Sequence, residues 1–222
     1  MAISVETVDC TSLDDSDFGE MADLCAGSSY ALEVEELSKQ AEAWVLLTRA
    51  RDGSKLQGFL FCTLERIGGT PCVLLGAGHI SRTTCRGEAL RSIIRDQKRR
   101  AGLSFPDEDV LFGAQINRCG AFEAYAVFND VMPRPGRKPT GEDRAWGRRL
   151  AKRFGISAFR YDDRRFASHT KRQPPTVLDH ESLEPEMNSA ELQDLLSAVD
   201  VAEGDTLLVH GWAMSEELEQ LV

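Results

Sequence analysis

The sequence predicts a mixed α/β fold with a mostly antiparallel central sheet flanked by helices. Three observations carry that reading. The run Ala43 to Ala50 (AWVLLTRA) has strand character, and Arg51-Asp52-Gly53-Ser54 supplies the turn for a hairpin into Lys55 to Ile67. Gly68 and Gly69 make a second turn into Pro71 to Ile80, which completes three consecutive antiparallel strands. A basic amphipathic segment then leads to Asp109–Ile116 (DVLFGAQI), a strand that joins the sheet through a helical crossover.

The other elements follow in chain order. Ile3, Val5 and Val8 mark an edge strand, and Ser12 offers an N-cap for a helix with Phe18, Met21, Ala22 and Cys25 on one face. A second short helix is expected over Ala31 to Ala41. Within 71–80, Val73, Leu74 and Leu75 form an apolar run that Gly76 and Gly78 interrupt, which suggests a bulge or a close approach by another group. In the basic segment Leu90, Ile93, Ile94 and Ala101 recur at helical spacing, with Arg91, Arg95, Lys98 and Arg99 largely on the other sides. A helix is expected around Phe122, Tyr125 and Ala126. Pro133, Pro135, Gly136 and Pro139 exclude regular structure there, Thr140 caps the next helix with Asp143 in its first turn, and Gly155 stops it. Ser157 to Tyr161 reads as a strand, Arg164 to Pro175 as a loop, Asn188 as a helix cap, and Thr206 to Gly211 as a buried strand.

Composition narrows the class. The 222 residues suffice for a core without disulfides or a structural metal, and one domain spanning 1–222 is expected, with a core to about 130 and an elaboration beyond. No apolar run is long enough to cross a bilayer, and the acidic start lacks the features of a secretory signal, so a soluble cytoplasmic protein is expected. Six scattered cysteines without a C-x-x-C pair suggest buried thiols rather than a zinc site. Charge is unevenly placed: residues 1–81 carry 5 basic and 13 acidic side chains, 82–172 carry 21 and 11, and 173–222 carry 12 acidic and none basic. A basic middle between acidic ends either holds a polyanion or pairs with those ends in the folded state.

The stretch most informative about function is Pro71 to Arg100. A strand, a turn and a helix start follow one another there, and the turn carries Arg82, Thr83, Thr84, Cys85, Arg86 and Gly87. Helix starts leave N–H groups unpaired and carry partial positive charge, so this arrangement can bind a phosphorylated cofactor.

The order of elements resembles the Gcn5-related N-acetyltransferase family over roughly residues 1 to 130. In that family the turn before the cofactor helix follows Arg/Gln-x-x-Gly-x-Gly/Ala, and its amides bind the pyrophosphate of acetyl-coenzyme A (acetyl-CoA). Arg82 to Gly87 fits that spacing, with Cys85 replacing the first glycine, and a second register starts at Arg86. The resemblance implies acetyl-CoA as donor, a primary amine as acceptor and direct transfer between them. It implies pyrophosphate contact by the turn with Ile80 beside it, and Asn117 on the pantetheine side. Tyr125 would be general acid to the leaving thiolate and His79 a base, with Glu65 as the other base candidate. Acidic residues on the first two helices would suit a cationic acceptor. A small-molecule or protein amine is the expected partner, with no membrane, nucleic acid disfavoured and a homodimer left open. The alternatives are a CoA-binding module without catalysis, or a polyanion binder using Arg91 to Arg100 and Arg144 to Arg165. Gly87→Asp is expected to weaken donor binding by placing negative charge beside phosphate.

Overall fold

A computed structural model describes residues 3–28, 31–170 and 176–222. In chain order the elements are β1 (Ile3–Asp9), α1 (Asp15–Cys25), α2 (Val34–Ala43), β2 (Leu46–Asp52), β3 (Lys55–Ile67), β4 (Thr70–Ile80), α3 (Arg86–Ser104), β5 (Val110–Ile116), β6 (Asn129–Met132), α4 (Gly141–Arg153), β7 (Tyr161–Asp162), β8 (Ala167–Ser168), β9 (Val177–Asp179), α5 (Ala190–Leu196), β10 (Thr206–Ala213) and α6 (Ser215–Glu219). The strands form one sheet in the order β1-β2-β3-β4-β9-β5-β10-β8-β7, with β6 paired to β10. Most pairings are antiparallel. The exceptions meet at the centre, where β4, β9 and β5 run parallel. The mixed α/β class is as the sequence predicts.

Local chemistry accounts for the first half. Gly68 and Gly69 both adopt positive φ, at 61° and 91°, which the tight β3–β4 turn requires and side chains resist. The interruption in β4 is a bulge: Leu60 pairs with Gly78 and Cys62 with Leu75, so two residues of β4 face one of β3. Gly76 sits there because the Trp44 indole lies against it, and a Cβ would come within 2.8 Å of Trp44 Cδ2. Helix α3 lies across β1 to β4 with Leu90, Ile93, Ile94 and Ala101 buried as expected. Its position on the sheet is pinned by polar contacts: Thr7 Oγ1 donates to Asp96 at 2.7 Å, Gln97 Nε2 donates to Thr48, and Cys62 Sγ donates to Gln97 Oε1 at 3.1 Å.

Several boundaries differ from expectation. The cap of α1 is Asp14, which forms a reciprocal capping box with Asp17, while Ser12 lies in a preceding 3-10 turn. The expected helix around Phe122 is a 3-10 turn, Cys119–Tyr125. Ser157 to Tyr161 is mostly another 3-10 turn, Ala158–Arg160, and α5 is capped by Ser189 rather than Asn188, whose amide instead donates to Ser182 O. Thr140 caps α4 as expected, in a capping box with Asp143. The last ninety residues place β9 and β10 within the central sheet, and β9 was not foreseen.

Candidate functional site

Strands β4 and β5 pair directly only from Cys72–Leu75 to Leu111–Ala114. Toward their carboxyl ends they part, and β9 enters between them: Leu178 pairs with Gly78 on one side and Ile116 on the other, and Asp179 pairs with His79. Crevices at the carboxyl ends of parallel strands are where open α/β sheets bind ligands. The start of α3 stands beside this one, so the elements that the sequence singled out do converge.

Asp179 is the centre of the site's charge. Its buried carboxylate lies 2.8 Å from Arg118 Nε, 3.5 Å from Arg82 Nη2 and 3.5 Å from His79 Nδ1. Arg82 also pairs with Glu181 at 3.0 Å, which holds the Glu181 carboxyl below its usual range. A second cluster adjoins it around buried Glu123, with buried His180 Nε2 2.8 Å from its Oε2 and half-exposed Arg91 Nη1 2.8 Å from its Oε1. Burial pushes Glu123 toward the neutral form, but hydrogen bonds from His180 and Ser182 and the charge of Arg91 prevail and lower its pKa.

The turn residues take the following places. Ile80 is buried against Gly58. Thr83 Oγ1 and Cys85 Sγ both donate to Gln57 Oε1, at 3.1 and 3.3 Å, and with exposed Thr84 they line a cavity of about 460 Å³ shared with Ile3, Asp52 and Lys55. Cys85 is the N-cap of α3 without a capping side-chain bond, and Arg86 is the first helical residue, its Nε buried without a hydrogen-bond partner. At Gly87 a Cβ would lie 2.8 Å from Glu123 Oε1. The chain thus already places a carboxylate where Gly87→Asp was to introduce one, and that substitution would disturb Glu123 before it reported on phosphate. Asn117, directly after the β5 residue that pairs with Leu178, is buried with neither amide atom hydrogen-bonded.

The two residues expected to be catalytic, Tyr125 and His79, are both buried. Tyr125 ends the 3-10 turn with its ring 5.5 Å from that of Phe128, and its buried hydroxyl donates to Val209 O at 3.4 Å. Tyr125 is 2% exposed and packs in the core against Phe128, and that burial also drives its pKa up. His79 is buried beside Asp179, its partner across the β4–β9 ladder. Burial lowers its pKa to about 4 against the opposing pull of Asp179, and so weak a base removes a proton from an ammonium group poorly. Glu65 pairs with Arg153 at 2.6 Å.

His210 is also buried, and its pKa is lowered to about 4, again chiefly by burial. Both histidines bind protons more readily in the unfolded chain, so stability is lost as pH falls from 6.5 toward 4, by up to about 3 kcal/mol for each. Urea midpoints at pH 7 and 4.5 are expected to differ less in His210→Phe than in the wild type, and equal differences would contradict this.

Sequence reasoning does not single out Asp179, Glu181, Glu123, His180 and Arg118. For Asp179 and Glu181 the one signal is the uncompensated acidity beyond residue 172; Glu123, His180 and Arg118 have none. Many cations of the basic middle are paired internally, Arg91 also with Glu184 at 3.0 Å and Lys98 with Glu217 at 3.1 Å. Pairing with the acidic ends holds for Arg82, Arg91, Lys98, Arg118 and Arg153, while Arg99, Arg100, Arg137 and Arg148 pair within the basic segment itself.

A pyrophosphate at the start of α3 would meet Glu123 beside Gly87 and would find Arg82 engaged by two carboxylates, and β9 fills the space between the parted ends of β4 and β5. The described conformation therefore does not fit acetyl-CoA. Among the described residues no cluster of metal-binding side chains occurs, and no helix is long and apolar enough to cross a membrane.

No protein-family profile matches the chain, and no curated protein matches it in sequence. Solved structures similar to it include the ribosomal-protein-S18-alanine N-acetyltransferase from Escherichia coli, at 9% identity and a TM-score of 0.42 over 63% of this chain and 86% of that one. The aminoglycoside 6'-N-acetyltransferase from Enterococcus faecium is 13% identical with a TM-score of 0.41, over 53% of this chain and 64% of that one. Escherichia coli ElaA is 12% identical with a TM-score of 0.40, over 60% and 94%. At such values the likeness concerns the course of the chain alone.

Proposed function

We propose that this chain is an N-acyltransferase that uses acetyl-CoA as donor and a primary amine as acceptor, with the donor bound in an opened form of the cleft between β4 and β5. The observation that carries the reading is the parting of these two parallel strands at their carboxyl ends, beside a helix start flanked by Arg82 and Arg86. Parted strand ends supply backbone groups for an extended ligand, and the helix start with its arginines favours phosphate. The acidic first turns of α1 and α2 agree with a cationic acceptor.

Titration calorimetry with acetyl-CoA, using dephospho-coenzyme A and ATP as comparison ligands, tests the reading. Saturable binding that prefers acetyl-CoA is expected, followed by turnover in an amine screen. No binding at millimolar donor would contradict it.

A second reading is favoured by the burial of Tyr125 and His79: a module that binds CoA without catalysis. Donor binding with no transfer to any amine would select it.

A further inference from the structure

Residues 177–184 offer to the cleft what an anionic ligand would offer. Strand β9 is three residues long, lies between two strands that otherwise pair with each other, and delivers Asp179 to Arg82, Arg118 and His79. The chain then stays on the site. Past β9 its backbone runs against Gly120, where a Cβ would meet Ser182 N and lie 2.7 Å from His180 O, while Glu181 holds Arg82 and Glu184 reaches Arg91.

Two features set this segment apart from a settled core strand. Asn117, beside it, keeps both amide atoms buried without a hydrogen bond, and neither carboxylate oxygen of Asp179 completes a hydrogen bond although three cationic or titratable partners surround it. Buried polar groups left unmet cost free energy that a better-fitting occupant recovers. Charge attracts the segment to the cleft, and its hydrogen bonding there is incomplete.

We propose that residues 177–184 are an intramolecular occupant of the chain's own anionic-ligand cleft, held through Asp179 and Glu181, and that they leave before a phosphorylated thioester donor binds. The inference rests on the reading of acetyl-CoA as donor. Its consequence is a conformational tax on affinity, since only the opened fraction of molecules binds.

In the full-length chain, Asp179→Asn combined with Glu181→Gln is expected to bind acetyl-CoA at least about tenfold more tightly than the wild type by calorimetry. Hydrogen exchange at 177–182 is expected to rise in that variant, and in the wild type as acetyl-CoA is added. Saturable binding of equal affinity in both proteins overturns the occupant and leaves the donor reading standing, as does protection of 177–182 that persists at saturating acetyl-CoA. Exchange released in the variant, with no acetyl-CoA binding by either protein, overturns the donor reading and this inference with it. Should the double variant not fold, the half-exposed Glu181→Gln alone is expected to gain about threefold, and the wild-type exchange experiment needs no variant.

Discussion

An alanine at Gly120 is expected to lower unfolding stability by about 1–3 kcal/mol and to raise hydrogen exchange at 180–182 ahead of the rest of the sheet. The cause is backbone against backbone. A Cβ at Gly120 would collide with Ser182 N and sit 2.7 Å from His180 O and 2.8 Å from Glu181 Cα, none of which can rotate away as a side chain can. Either the 3-10 turn Cys119–Tyr125 shifts or the segment beyond β9 lifts. Urea denaturation and exchange mass spectrometry read both effects, and an unchanged midpoint with unchanged protection would mean that these segments are not in contact.

A comparable loss is expected from Glu123→Ala, about 1–3 kcal/mol, because removing one partner of a buried hydrogen bond leaves the other unsatisfied. Here it strands His180, which is fully buried, and deprives Arg91 of its closest carboxylate. Glu123→Gln keeps an acceptor for His180 and is expected to lose clearly less. Equal losses in the two variants would show that volume, rather than the hydrogen-bonded charge, is what Glu123 contributes.

The first half of the fold was legible because its signals are local. Positive-φ glycines announce the β3–β4 turn, the glycines of β4 announce its bulge, and the apolar spacing of α3 survives its basic surface. Even there, the sequence leaves a bulge or a close approach open at Gly76 and names no partner, since Trp44 lies far from it in sequence. Strand β9 was hidden for a different reason. Val177-Leu178-Asp179 is too short to show a period, and it becomes a strand only because β4 and β5 offer it unpaired edges from both sides.

The candidate site divides along the same line. Arg82 meets Asp179 and Asn117 follows the last residue of β5, both beside the cleft, whereas Thr83, Thr84 and Cys85 line a separate cavity with Ile3, Asp52 and Lys55. The apolar spacing predicts a helix around Tyr125, whereas the segment tightens into a 3-10 turn that directs its hydroxyl to Val209. His79 was placed correctly at the end of β4, but its surroundings depend on Asp179, a hundred residues away. The acidity of the last fifty residues was visible as composition; which cations those carboxylates would meet was fixed only by the return of the chain to the sheet centre.

The most direct test is a set of backbone nuclear Overhauser contacts in isotopically labelled, ligand-free protein. With β9 seated as described, Leu178 shows cross-strand contacts to both Gly78 and Ile116. Contacts to neither, with β4 and β5 still paired at Cys72–Leu111 to Leu75–Ala114, would mean that the cleft stands open and that the chain does not occupy its own site.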